Sequence, residues 1–97
     1  MKTYVMHARF TQQGIQNIKE SPDRVEAFRQ ALEAAGAELV GIYLLMGPYD
    51  ALAIIKAPDD ETITQITLAL GSKGNVRTET VRAFTEQEFR QLVAALP

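Results

Sequence analysis

Apolar and polar residues alternate along residues 3–10, TYVMHARF. In an extended chain the two sets point to opposite faces. The apolar set is Tyr4, Met6, Ala8 and Phe10, and the other set is Thr3, Val5, His7 and Arg9. A period of two with aromatic and β-branched residues predicts a strand that has one face on a core.

A helix is predicted after Pro22, because apolar residues then recur every three or four positions. Ser21 is the expected N-cap, and Pro22 would occupy the first helical position, where its missing N–H costs nothing. Gly36 is expected to end the helix. The apolar set is Val25, Phe28, Ala31, Leu32 and Ala35. Before it, the segment around residues 15–19 predicts only a short helical turn.

Two apolar runs, residues 37–46 and 51–57, flank the tetrapeptide GPYD. We expect two strands joined as a hairpin at Gly47 and Pro48. Both strands are apolar on both faces, and this pattern indicates burial on both sides. A chain of 97 residues has too few helices to cover two sheet faces. The second face is therefore expected to be covered by another subunit.

The last third of the chain predicts a helix, a strand and a final helix. The first helix would be capped by Asp59 or Asp60 and ended by Gly71 and Gly74. Residues 76–84 alternate as a strand. Thr85 and Glu88 have the spacing of a capping box. The final helix carries one apolar stripe, formed by Phe89, Leu92, Val93 and Leu96.

The resulting order, strand–helix–strand–strand–helix–strand with a terminal helix, is that of an α+β ferredoxin-like domain. We expect one domain over residues 1–97, with both main helices on one face of a four-stranded antiparallel sheet. The first and third strands would be central, which places His7 and Arg9 in the middle of the open face. A homo-oligomer follows, most simply a two-fold dimer packed sheet to sheet.

Composition narrows the function classes. The net charge is -2 and the basic residues are scattered, so nucleic-acid binding has no support. The absence of cysteine removes disulfides, thiolate nucleophiles and cysteine-based metal sites, and it fits a cytoplasmic protein. No apolar run reaches the ~20 residues of a membrane span, and the N-terminus is a poor signal peptide. A single histidine without cysteine makes no metal-ligand set, and no cofactor is expected.

His7 and Arg9 are the candidate catalytic residues. His7 is the only histidine, and a histidine on the open face is a candidate general base. The alternative is a histidine whose hydrogen bonds are satisfied at a subunit interface. Arg9 is a candidate clamp for a carboxylate or an enolate, or else the partner of Glu79 or Glu38 in an ion pair.

Tyr49, Asp50 and Tyr43 are the candidate ligand-binding residues. Neighbouring residues of a regular strand point to opposite faces, so Tyr49 and Asp50 cannot both face the ligand. Asp50 is expected to hold the turn by accepting backbone N–H bonds. Tyr49 is the better ligand contact, and Tyr43 is similarly placed with its facing left open.

The stretches FTQQGIQNIKESPDR and GPYDALAIIKAPDDE resemble the GYD-domain family, which is named for its Gly-x-Tyr-Asp signature. The likeness extends over essentially the whole chain. The resemblance implies a branch of the dimeric α+β barrel proteins. That group includes cofactor-independent oxygenases, isomerases, haem-dependent enzymes and ligand-sensing domains, so it implies little about function.

Three hypotheses follow. The first is a homo-oligomeric protein that binds a small molecule in a pocket at the open sheet face. The second is a cofactor-independent enzyme acting on a small carbonyl or conjugated substrate, with His7 as the base. The third is an oligomeric structural or adaptor module without a ligand.

Overall fold

The computed structural model describes residues 1–97, which form one antiparallel sheet whose one face is packed against the two longest helices. The strands are β1 (Lys2–Phe10), β2 (Glu38–Leu44), β3 (Ala51–Ala57) and β4 (Val76–Ala83). The helices are α1 (Gln12–Gln16), α2 (Ser21–Ala34), α3 (Asp60–Ser72) and α4 (Glu86–Ala94), with a 3-10 turn at Ile18–Glu20. The sheet order is β2-β3-β1-β4. The predicted ferredoxin-like fold is confirmed, with β1 and β3 central.

The register of β1 divides the sheet into a helix side and an open face. Tyr4 lies opposite Ile55 of β3, and His7 lies opposite Leu52. Tyr4 and Ile55 are buried, whereas His7 and Leu52 are only partly covered. The core on the helix side consists of Tyr4, Met6, Phe28, Leu32, Ala37, Ala53, Ile55, Ala57 and Ile63. The alternation predicted for residues 3–10 is thereby confirmed.

The start of α2 differs from the prediction. The helix continues directly from the 3-10 turn, and the backbone N–H of Ser21 donates to the carbonyl of Ile18. Ser21 is thus already helical, and its hydroxyl accepts a hydrogen bond from Arg24 instead of capping the helix. The N-cap assignment of Ser21 is wrong, because Ser21 has helical backbone angles and Glu20 takes the N-cap position.

The end of α2 follows the prediction. Gly36 has a φ of 78°, and its N–H donates to the Glu33 carbonyl at 3.0 Å. The N–H of Ala37 donates to the Leu32 carbonyl at 2.8 Å. This pair of bonds closes a helix around a left-handed residue, a conformation that glycine adopts without steric cost.

The hairpin between β2 and β3 is wider than a two-residue turn. It spans residues 45–50, and the Leu45 N–H donates to the Asp50 carbonyl at 2.8 Å. Within β2 the register shifts between Leu39 and Gly41, which leaves Val40 as an unpaired bulge residue that is 50 % exposed. β2 is an edge strand, and bulges are frequent on such strands.

The caps of the last two helices agree with the sequence pattern. The Asp59 carboxylate accepts the Thr62 N–H at 2.8 Å, and the hydrogen bonds from Thr62 lower the pKa of Asp59. Thr85 and Glu88 form both bonds of the predicted capping box. Gly71 does not end α3, which continues to Ser72.

Helix α4 differs from the other long helices because none of its residues is buried. Its apolar stripe, the α4 stripe (Phe89, Leu92, Val93 and Leu96), is 49–68 % exposed. No helix of the chain combines the length and the apolar character that a membrane crossing needs.

Candidate functional site

The hairpin loop places Tyr49 over the open face of the sheet. Its ring centroid lies 4.5 Å from that of His7, with an interplanar angle of 39°. The guanidinium carbon of Arg9 lies 4.4 Å from the same ring centroid, within the range of a cation–π contact. The Tyr49 hydroxyl donates to the Glu79 carboxylate at 2.7 Å. We call His7, Arg9, Tyr49 and Glu79 the open-face cluster.

Three hydrogen bonds hold the loop in this position. The N–H of Asp50 donates to the Ala8 carbonyl at 2.9 Å, and the Asp50 carboxylate accepts the N–H of Phe10 at 2.8 Å. The Nε of Arg9 donates to the Pro48 carbonyl at 2.8 Å. Asp50 therefore makes the turn-holding bond that the sequence predicts. Its carboxylate is hydrogen-bonded to the backbone, while the Tyr49 ring lies against His7 and Arg9.

Glu79 accepts a hydrogen bond from Tyr49 and forms no ion pair with Arg9. The hydrogen bond from the hydroxyl and the nearby negative charge of Glu79 raise the pKa of Tyr49. The tyrosine thus remains a hydrogen-bond donor. The predicted ion pair of Arg9 with Glu79 or Glu38 is wrong, because Glu79 is bound to the phenol. Glu38 lies at the far edge of the sheet, opposite Lys56.

Arg9 lies directly opposite Arg77 of β4 on the open face. The chain has three ion pairs, and neither arginine takes part in any of them. Like charges in directly opposite positions destabilise a sheet. Arg77 was not among the predicted site residues. The alternation along residues 76–84 indicates which residues share a face with Arg77. Only the register between β1 and β4 places Arg77 opposite Arg9.

Ordered rows of side chains cross the rest of the open face. Tyr43, Leu52, His7 and Glu79 are successive register partners and form one row. Tyr43 therefore shares the face of His7, and its ring lies against Gly41. The next row is apolar and runs through Gly41, Ile54, Val5 and Val81. Tyr43 is 57 % exposed and Val81 is 53 % exposed, so these rows have no covering layer within the chain.

A cavity of about 660 Å³ lies on the opposite side of the sheet, between α2 and α3. We call it the helix-side groove. Most of its lining is apolar and includes Phe10, Val25, Phe28, Ala31, Ile66 and Ala69. The pocket expected from the sequence was on the open face. The helix-side groove contains neither His7 nor Tyr49.

A second cavity, of about 250 Å³, is polar and lies between α3 and β4. The Tyr4 hydroxyl donates to the Asp60 carboxylate there. Burial, together with this bond, raises the pKa of Tyr4 to about 12. The Thr80 hydroxyl lines the same cavity and is buried without a hydrogen-bond partner. The chain contains no group of three or more His, Asp and Glu side chains suited to holding a metal ion.

The chain is similar to several known proteins. A protein from Thermus thermophilus, named glutamine synthetase and cystathionine beta-lyase binding protein, is 32 % identical over 84 residues, covering 86 % of this chain and 88 % of the relative. The crystal structure of TTHA0845, also from Thermus thermophilus, has a TM-score of 0.56 and 26 % identity, over 88 % of this chain and 95 % of that one.

The crystal structure of MtbAldR gives a TM-score of 0.69 at 14 % identity, over 88 % of this chain and 52 % of that chain, and this likeness concerns the fold alone. The family model of the GYD domain matches residues 4–93, which include both hairpin strands and the Gly47-Pro48-Tyr49-Asp50 corner. The chain belongs to the GYD-domain family.

Proposed function

We propose that this GYD-domain protein is a homo-oligomeric protein that binds a small carboxylate on the open face of its sheet. The observation that carries the proposal is the pairing of Arg9 with Arg77 without any carboxylate partner. Two like charges in directly opposite strand positions repel each other, and an anion bound by both arginines would remove that repulsion. Guanidinium groups bind carboxylates through paired hydrogen bonds.

The neighbouring groups support a site for a small organic anion. Arg9 donates through Nε to the loop, which fixes the plane of its guanidinium over the Tyr49 ring. The His7 and Tyr49 rings supply flat surfaces beside Arg9. Tyr43 and Leu52 continue the row beyond His7 with apolar surface. This arrangement suits a ligand with a carboxylate at one end and an apolar or aromatic body.

A second copy of the chain is the proposed cover of this site. The apolar row through Ile54, Val5 and Val81 has no covering layer within one chain, and a two-fold contact would place two such rows together. Each ligand would then lie between two sheets, as in a dimeric α+β barrel. Enclosure between the sheets would strengthen the interaction with the arginines, because water is excluded.

Binding is favoured over catalysis by the position of Glu79. A general-base histidine is commonly oriented by a carboxylate that accepts its second ring N–H. Glu79 lies opposite His7 in the register, yet it accepts the Tyr49 hydroxyl. The alternative proposal of a cofactor-independent enzyme with His7 as base would require Glu79 to exchange partners.

The test is a titration of the full chain with small aliphatic and aromatic carboxylates, each compared with its neutral amide. We expect carboxylates to bind and amides not to bind. Arg9→Gln and Arg77→Gln should each weaken binding at least tenfold. Arg90→Gln, which removes the same charge from an exposed pair on α4, is the matched control. Equal binding of acids and amides, or no effect of either open-face variant, would contradict the proposal.

Binding of another protein is a second candidate function. The relative from Thermus thermophilus is named for binding glutamine synthetase and cystathionine beta-lyase. The exposed α4 stripe is the kind of surface that such contacts use. Purified glutamine synthetase and cystathionine beta-lyase should be retained by the immobilised chain, and Leu92→Glu should abolish retention. Failure of both enzymes to bind would remove this candidate.

A further inference from the structure

The α4 stripe has the spacing of a helix that inserts into a groove. Phe89, Leu92 and Val93 occupy positions i, i+3 and i+4 of α4, and Leu96 follows just after the helix ends; this spacing matches the anchor pattern of helix-in-groove recognition. A helix of nine residues has little stability alone in water. Its complete capping box and its apolar stripe are therefore best explained by packing against a surface outside its own chain.

The helix-side groove is a surface of the required kind. Protein interiors contain few voids larger than a water molecule, whereas this groove has a volume of about 660 Å³ between α2 and α3. Apolar residues make up most of its lining, among them Val25 and Ala31 of α2 and Ile66 and Ala69 of α3. Exposed apolar surface of this shape is stabilised by an apolar occupant.

The chain's own α4 begins far from the part of the groove that borders the sheet end. Phe10, Leu44, Ala51 and Val76 all line the groove, and they lie where β1 and β2 finish and where β3 and β4 start. Helix α4 starts after the other end of β4, about 24 Å away for a strand of this length. It spans only about 13 Å itself. Its stripe is accordingly left exposed within the chain.

The charges around the two surfaces are complementary. Lys73, which has no ion-pair partner, lines the groove together with Arg24, whose ion pair is with Glu20 of its own chain. The first turn of α4 carries Glu86, which pairs with Arg90, and Glu88, which accepts the Thr85 N–H. A helix that inserts its stripe would bring these carboxylates towards basic residues at the groove margin.

We propose that the α4 stripe of one copy inserts into the helix-side groove of a second copy. The two copies exchange identical helices when the contact is reciprocal, and the assembly then closes as a dimer. This contact is separate from the open face of the sheet, so it goes beyond the proposed ligand site. Each groove then loses its apolar surface to one helix, and each α4 gains the packing that it lacks in the single chain.

The absence of cysteine makes a direct cross-linking test possible. Two full-length single-cysteine variants, Val93→Cys on α4 and Ala69→Cys in the groove, are mixed, with one isotopically labelled so that mixed dimers are identified by mass. Gln91→Cys, on the polar side of α4, replaces Val93→Cys as the control. After oxidation we expect at least tenfold more mixed dimer with Val93→Cys than with Gln91→Cys. Equal yields, or no mixed dimer, would overturn the proposal.

Two further measurements distinguish the proposed contact between copies from the proposed ligand site. Leu92→Glu should lower the mass of the assembly in solution and suppress the cross-link, while the affinity for small carboxylates at the open face stays within twofold. If Leu92→Glu instead leaves the mass unchanged and removes only the binding of another protein, then the α4 stripe serves that protein and the exchange between copies is wrong. Loss of carboxylate binding in Arg77→Gln with the cross-link intact would concern the ligand site alone.

Discussion

Tyr4 combines a core position with a polar contact, and this makes it a sensitive residue of the helix side. Its side chain is 3 % exposed, yet its hydroxyl reaches the Asp60 carboxylate at the start of α3. The phenol therefore connects the central strand with the helix through both packing and a hydrogen bond. Arg82 lies over the same ring, with its guanidinium carbon 5.9 Å from the centroid.

Replacing Tyr4 by Phe should lower the free energy of unfolding by about 1–2 kcal/mol, because the hydrogen bond to a carboxylate is lost while the ring is kept. The pH dependence gives an independent readout. The pKa of Tyr4 is about 12, raised from 10.0 by burial and by the bond to Asp60. As pH rises from about 10 to about 12, the unfolded chain loses this proton before the folded one, so stability falls.

Denaturant unfolding at several pH values measures both effects. In this window the Tyr4→Phe variant should lose less stability than the wild type. Tyr43→Phe, on the exposed side of the sheet, is the control and should leave stability unchanged at neutral pH. An identical decline in Tyr4→Phe and wild type would contradict the assignment of the pH effect to this phenol.

Asp50 should stabilise the folded chain through its hydrogen bond to the Phe10 N–H. Asp50→Ala removes the acceptor of the Phe10 N–H, and we expect a loss of about 1–2 kcal/mol in the free energy of unfolding. The loop should also become more mobile, which hydrogen exchange at Phe10 would detect. Glu33→Ala removes an exposed helical carboxylate without a hydrogen bond, and it should change stability by less than about 0.5 kcal/mol. Equal effects of the two variants would refute a structural role for Asp50.

The residues of the open-face cluster were partly predictable. Alternation along β1 placed His7 and Arg9 on the open face, and the chemistry of Asp near Gly and Pro predicted its backbone bond. The partner of Glu79 was not predictable, because it depends on how far the loop carries Tyr49 across β1. Arg77 was missed for a related reason. Its position opposite Arg9 follows from the register, and the sequence contains no local signal for register.

At the scale of elements, the period of the apolar pattern determined the type of every long segment. The differences between prediction and structure lie at helix ends, where the backbone around the residue determines whether the helix begins or ends there. Ser21 has the right chemistry for a cap, but the 3-10 turn before it leads directly into α2 and leaves Ser21 with helical backbone angles. Gly71 has the right chemistry for a stop, but nothing prevents its backbone from remaining helical, and the chain turns only at Gly74, with a φ of 83°.

Two glycines in helices should respond in opposite ways to alanine. In Gly14→Ala the new Cβ would lie 2.0 Å from the Asn75 carbonyl oxygen, a backbone atom that also accepts the Thr11 N–H. We expect a loss of at least about 1–3 kcal/mol, since α1 must move away from the start of β4. In Gly71→Ala the Cβ meets nothing within 4 Å, and a gain of about 0.5–1 kcal/mol is expected.

Thermal and denaturant unfolding of the two variants measure this contrast. Because each replaces glycine by alanine within a helix, the two variants are matched in chemistry and differ only in their surroundings. A loss of stability in Gly71→Ala would show that its helix end needs the freedom of glycine. An unchanged Gly14→Ala would show that α1 is not packed against Asn75.

At the scale of the whole molecule, the chain has one covered sheet face and one that is left open. On the helix side, β1 contributes Tyr4 and Met6 to the core, and β3 contributes Ala53, Ile55 and Ala57, which are fully buried. The same strands carry Val5, Leu52 and Ile54 on the open face, where these side chains are only partly covered. Apolar residues on the helix side of β3 are explained by the core, and those on its open face are explained by the external layer that we propose a second copy supplies.

The external layer is testable through the mass of the assembly in solution. Val81→Glu places a carboxylate in the apolar row of the open face, opposite Val5, and burial of an unpaired charge is strongly unfavourable. If a second copy covers this face, the variant should dissociate at concentrations at least tenfold higher than the wild type, as measured by light scattering or native mass spectrometry.

Leu68→Glu is the matched control, because Leu68 is 68 % exposed on α3, away from the sheet face. A wild-type chain that is monomeric at all concentrations, or equal dissociation of both variants, would rule out sheet-to-sheet packing. Since the proposed carboxylate site lies on the same face, a saturating ligand should also shift the wild-type equilibrium towards the assembly.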